Sequence, residues 1–154
     1  VIAGPFEKKY CNELKEIIKK YKIENRVIFT GLLSGDLLYA SYKACYLFIL
    51  PSLQESFGIS IVEAMAASKP VVISKNIAIA NSIKKADAGI ICEDNVEDYS
   101  SAVEKLLSSN SLQKDMGNNG KNLQKNFYDW EILSKQLETA YIDQINEYKS
   151  NLKI

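Results

Sequence analysis

Five short apolar runs punctuate the chain: Val1–Gly4, Val27–Thr30, Tyr46–Leu50, Pro70–Ser74 and Gly89–Cys92. None alternates between apolar and polar positions, which is the pattern of strands buried on both faces. Each meets a turn-forming residue: Gly4-Pro5, Gly31 and Pro51-Ser52 close the first three, Pro70 opens the fourth and Gly89 the fifth. The segments between them repeat with helical period. Phe6, Tyr10, Leu14, Ile17, Ile18 and Tyr21 share one face, with Lys and Glu between them. Ser34 is placed to cap a helix with Leu38, Tyr42 and Cys45 on its apolar side. Helices are also expected at Ile59–Ala67 and around Ala80–Lys85. Asn95 opens another that ends near Ser108, with Val96, Tyr99, Val103 and Leu106 facing inward. Asn110 with Gln113 reads as a capping box. Gly117 and Gly120 weaken the helix that follows and are places where it would break. Asp129 caps a long last helix over about 129–149. Its stripe of Trp130, Leu133, Leu137, Tyr141, Ile145 and Tyr148 reads first as core packing and second as a face left partly exposed in a fragment, with a frayed tail from Lys149. Strands separated by helices imply an α/β fold, a parallel sheet of about five strands flanked by helices. At 154 residues the expectation is a single domain, 1–154.

Composition narrows the chemistry. Nineteen basic side chains balance nineteen acidic ones, so no basic footprint for nucleic acid is present. The longest apolar run, near Ala44–Leu50, is strand-sized and no transmembrane segment is expected. The chain has no His, which excludes Ser-His-Asp, Cys-His and His-metal sites from its own residues. Cys11, Cys45 and Cys92 are odd in number and far apart, and read as reduced, buried structural thiols. With no export signal, that composition suits a cytoplasmic protein.

In parallel α/β folds, ligands bind beyond the carboxyl ends of the strands. The loop after the third apolar run, Pro51-Ser52-Leu53-Gln54-Glu55-Ser56-Phe57-Gly58-Ile59, opens directly onto a helix. Gly58 allows close approach of a ligand to the backbone. The N–H groups around Phe57–Ser60 at a helix start suit a phosphate. Glu55 and Glu63 flank that point, and carboxylates accept hydrogen bonds from hydroxyls, as on a sugar or a ribose diol. Together these features read as a nucleotide sugar site. On spacing alone, Glu63 is equally a solvated helix residue and Phe57 plain core.

The whole run P-S-L-Q-E-S-F-G-I-S-I-V-E-A-M-A-A-S-K-P-V-V, Pro51 to Val72, resembles the signature of the retaining GT-B glycosyltransferases of family four. It holds two glutamates with seven residues between them, then A-M-A and P-V-V. V-I-A-G-P at the start, V-I-F-T-G-L-L at Val27–Leu33, G-I-I at Gly89–Ile91 and the helix opening at Trp130 extend the resemblance over essentially the whole chain. It is to the carboxyl-terminal, donor-binding domain, a Rossmann-like fold. The resemblance implies Glu55 as the catalytic-site residue, holding donor-sugar hydroxyls near the reacting centre. It implies backbone contacts to sugar and diphosphate from Phe57, Gly58 and Ile59, the ribose on Glu63, and the base near Leu33. It implies transfer of a hexose-type sugar from a UDP- or GDP-linked donor to a glycan or lipid-linked acceptor, with no cofactor and no obligatory metal.

Departures from the family pattern are equally specific. Ser56 and Ser68 stand where Gly is common, and a left-handed Ser68 would be mildly strained. Asn76–Ile83 replaces a Gly-Gly pair followed by Glu-Ile, with Asn81 or Ser82 at the Glu position. The family's first strand, with its Arg/Lys diphosphate clamp, and the whole amino-terminal acceptor domain have no counterpart here. In the strand order 3-2-1-4-5-6 the first strand is central, so Val1–Gly4 and Leu47–Leu50 would be its former neighbours. The expectation is a fragment whose parent is the enzyme, peripheral to a membrane through that parent if at all, and which is inactive alone. Two other classes stay open: a sugar-nucleotide epimerase on the same scaffold, and a degenerate, non-catalytic binding domain. A phospho-receiver is disfavoured, since none of the five runs ends in Asp.

Overall fold

The computed structural model describes residues 1–5, 7–53 and 55–152. Phe6, expected on the first helical face, and Gln54, in the glutamate loop, lie outside the described residues. The chain divides into two compact units, Val1–Ser41 and Tyr42–Ile154.

The first unit holds β1 (Ile2–Ala3), α1 (Lys8–Lys20), a 3-10 turn at Glu24–Arg26, and β2 (Phe29–Gly31). Strands β1 and β2 pair in parallel, Ile2 opposite Phe29 and Ala3 opposite Gly31. The expected apolar face of α1 is only partly covered. Ile18 is buried, while Tyr10, Ile17 and Tyr21 are exposed. The unit boundary falls within α2 (Gly35–Ala44).

The second unit carries β3 (Phe48–Leu50), α3 (Ile59–Ala66), β4 (Val71–Ser74), α4 (Ala80–Lys85) and β5 (Gly89–Cys92). Then come α5 (Val96–Leu107), α6 (Asn110–Leu123), a π-helical turn at Gln124–Tyr128, and α7 (Trp130–Asn151). Its parallel sheet has the order β3-β4-β5, with Phe48, Val71 and Gly89 in one row. All the β-pairing among the described residues is parallel. Strand β1 is hydrogen-bonded to β2, and β3 to β4; no other described strand pairs with β1 or β3. These pairings are ones the order 3-2-1-4-5-6 contains.

Burial on both faces, expected of every strand, is complete only for the central β4. Strand β3 has one neighbour in its sheet, and Ile49 there is 41% exposed. A packed cluster of Val72, Cys92, Ala102, Leu106 and Met116 forms the core between the sheet and α5/α6. All three cysteines are free thiols, but only Cys92 is buried; Cys11 and Cys45 are half-buried.

Helix ends explain several differences from expectation. Ser109, not Asn110, caps α6 through Leu112 N–H at 3.2 Å. The Gln113 amide donates instead to the Leu106 carbonyl at 2.7 Å, so no capping box forms. Helix α6 continues unbroken through Gly117 and Gly120, both buried. Asn95 and Asp129 cap α5 and α7 as expected. Ser68 ends α3 with φ of 59°, the left-handed conformation anticipated for it. Its N–H reaches the Met65 carbonyl at 2.9 Å and Lys69 N–H the Ala64 carbonyl at 3.0 Å. This paired closure normally uses Gly.

The stripe on α7 is not core. No residue of that helix is buried, and Trp130 is 82% exposed, with Leu137, Tyr141, Ile145 and Tyr148 exposed beside it. Periodicity reports that a helix has an apolar face; it does not report what covers it. No helix among the described residues is long and apolar enough to cross a membrane.

Candidate donor-sugar site

The loop leaving β3 turns into α3 at Gly58. This residue is buried and left-handed, with φ of 82°. A side chain here would be strained, and its Cβ would lie 2.6 Å from Cδ1 of Ile61 and 3.5 Å from Cγ of Glu55. The Gly58 carbonyl starts the helix, accepting from Ile61 N–H at 2.9 Å. No side chain caps this end and no acidic residue sits in its first turn. The leading N–H groups of a helix have no partner within it, and the dipole makes that end positive. The result is an anion-accepting end at the carboxyl edge of the sheet.

Glu55 precedes this end and is half-buried; no described residue bonds to its carboxylate. Phe57 is not core. It is 39% exposed, and its ring meets Tyr128 edge-on, centroids 5.6 Å apart at 75°. Ile59 is 65% exposed in the first turn. Glu63 stands one turn deeper, on the same helical face as Ile59. Its Oε2 accepts a hydrogen bond from the Tyr42 hydroxyl at 2.9 Å. Tyr42 is buried beside Phe48, ring centroids 5.8 Å apart. Burial, and then the bond to and charge of Glu63, push its phenol far above the usual tyrosine range, with a smaller push from Cys45. Burial also raises the Cys45 thiol, against the opposing charge of Lys69.

Glu55, Phe57, Gly58, Ile59 and Glu63 thus share one loop and helix of the second unit. Leu33 belongs to the first unit, half-buried between the left-handed Gly31 and Gly35. Two clefts of about 430 and 480 Å³ in the second unit are lined by none of these residues.

Two features escaped the sequence pattern. Tyr42 was visible only as an apolar helix position, and its hydroxyl bond spans 21 residues. The second is a polar lock on the loop after β4. Buried Ser74 donates from Oγ to Asp94 Oδ1 at 2.8 Å, and the Asn76 amide donates to Oδ2 at 2.6 Å. Asn76 N–H returns to Ser74 Oγ at 3.2 Å, and Lys75 pairs with Glu93. Ile77 and Ile79 are buried, so the segment that carries Gly-Gly in the resembled pattern is here fastened by side chains. Tyr99 OH is buried near this lock with no hydrogen-bond partner among the described residues; burial pushes its phenol up, against a smaller opposing pull from Ser74.

The family model described as glycosyl transferases group 1 matches residues 1–123 of this chain. The chain belongs to that family. An uncharacterized glycosyltransferase of Methanocaldococcus jannaschii, MJ1607, is 30% identical over 142 residues, covering 92% of this chain and 36% of that protein. The alpha-1,3/1,6-mannosyltransferase ALG2 of Dictyostelium discoideum is 30% identical over 131 residues, 84% of this chain and 31% of that one. The group 1 chain therefore spans about a third of the length of these curated relatives. Anabaena HepE, solved in complex with UDP, superposes with a TM-score of 0.84 at 23% identity, over 92% of this chain and 40% of that one. The fold is the Rossmann-like GT-B fold, as the family resemblance implied.

Proposed function

We propose that this chain is the donor-binding half of a retaining glycosyltransferase that moves a hexose-type sugar from a nucleoside diphosphate. The observation that carries the reading is the uncapped start of α3 at left-handed Gly58, with Glu55 before it and Glu63 one turn inside. Phosphate oxygens meet the N–H groups of Phe57–Ser60, Glu55 takes donor-sugar hydroxyls, and Glu63 takes the ribose diol. Leu33 takes the base. HepE has also been solved with UDP-glucose, which supports a UDP-linked donor. ALG2 is a mannosyltransferase, which keeps a second hexose in view. The acceptor and its specificity belong to an amino-terminal domain of the intact parent, and this half alone does not turn over.

Calorimetry on the intact parent with UDP- and GDP-sugars tests the assignment. Glu63→Ala removes a charge-assisted hydrogen bond, which contributes about 1.5–3 kcal/mol. The nucleotide that binds should lose roughly ten- to a hundredfold in affinity. Unchanged affinity would reject the ribose role of Glu63.

A further inference from the structure

We propose that Tyr42 is a positioning residue of the donor site: its hydroxyl holds Oε2 of Glu63 and leaves Oε1 to accept from a ligand hydroxyl. The inference rests on the ribose reading of Glu63 and extends it to a residue outside the glutamate motif. The bond is 2.9 Å long and joins α2 to α3 across 21 residues. Tyr42 is 8% exposed and its ring lies against Phe48, so the donor is itself held in place. Burial and the neighbouring carboxylate disfavour the phenolate. The sign is clear: a phenol raised above its usual range stays protonated, and stays a donor, at every pH where a transferase works. Glutamate has three side-chain torsions to fix when it captures a ligand. A bond already made to one oxygen fixes them in the free protein, so less ordering is left for binding.

A purely structural role would also use a buried tyrosine, so affinity alone does not decide. The ratio of affinities for a ribose and a deoxyribose ligand does. In any one variant, partial loss of the competent state weakens both ligands by the same factor and cancels in the ratio. The intact protein is titrated with UDP and dUDP, and with GDP and dGDP, as wild type, Glu63→Ala and Tyr42→Phe. The wild type should prefer the ribose form by roughly ten- to a hundredfold for the base it accepts. Glu63→Ala should bring that preference close to one. Tyr42→Phe keeps the ring and removes only the hydroxyl, and should reduce the preference about three- to tenfold.

If Glu63→Ala flattens the preference and Tyr42→Phe leaves it at the wild-type value, Tyr42 serves the fold alone and the inference is overturned. If Glu63→Ala itself leaves the preference intact, the ribose reading fails and takes the inference with it.

Discussion

Gly117→Ala should destabilise the protein by about 3 kcal/mol, the upper part of the range for overpacking a core. At an exposed helical position the same change usually stabilises, because alanine is the better helix former. Here the sign reverses. A Cβ on Gly117 would lie 2.2 Å from the Ser68 carbonyl oxygen and 2.9 Å from its carbon. Those are backbone atoms at the left-handed end of α3, where Ser68 and Lys69 already close the helix through the Met65 and Ala64 carbonyls. No side-chain rotation can relieve the overlap; α6 must move away from α3 or the helix end must distort. Gly120, one turn on, faces Met65, where an added Cβ would lie 3.1 Å from Cγ. In thermal unfolding, a loss of that size in a domain of about 150 residues lowers Tm by roughly 6–12 °C. A Tm equal to or above wild type would show that α3 and α6 do not approach as described. The result also matters for function, because α6 supports the helix whose other end is the proposed donor site.

Glu55→Gln in the intact parent should lower kcat on the order of a hundredfold, while binding of the bare nucleoside diphosphate stays within about twofold. Glu55 lies half-buried just before α3, where the proposed reading sets its carboxylate against the donor sugar. Hydrogen bonds to sugar hydroxyls beside a reacting anomeric carbon strengthen as positive charge develops there. The amide keeps the shape and loses the charge, so the cost falls on the transition state. Steady-state kinetics with parallel nucleotide titration separates the two effects. If nucleotide affinity falls as far as kcat, Glu55 belongs to the nucleotide rather than to the reacting sugar.

The contrast between Glu55 and Tyr42 shows which signals a sequence carries. The glutamate loop was legible because its parts are adjacent: Gly58 sets the turn, and the helix that follows places Glu63. Element bounds were likewise clear where local chemistry dictates them. Strand β5 begins at Gly89, and α5 follows the Asn95 cap, as read from the residues. Tyr42 was hidden because its hydroxyl partner lies on another helix, and periodicity registers only the ring. Gly117 and Gly120 were misjudged for the same reason. Propensity marks them as helix breakers, whereas the Ser68 backbone leaves no room for a side chain at Gly117, and Gly120 packs closely on Met65. Ser109 and Asn110 are both good caps by type. The choice between them was settled by Gln113, whose amide reaches back to Leu106. On α7 the stripe was real but its full burial was not, since Leu133 is only half-buried and Trp130, Leu137, Tyr141, Ile145 and Tyr148 are exposed.

The central claim is that the start of α3 receives a nucleoside diphosphate. The most direct measurement is amide NMR of the intact protein during titration with UDP, GDP and the matching nucleosides. The N–H signals of Phe57, Gly58, Ile59 and Ser60 should shift saturably with one of the diphosphates and stay in place with its nucleoside, because the phosphates are what those groups bind. Saturable shifts elsewhere, with these four amides unmoved, would contradict the account.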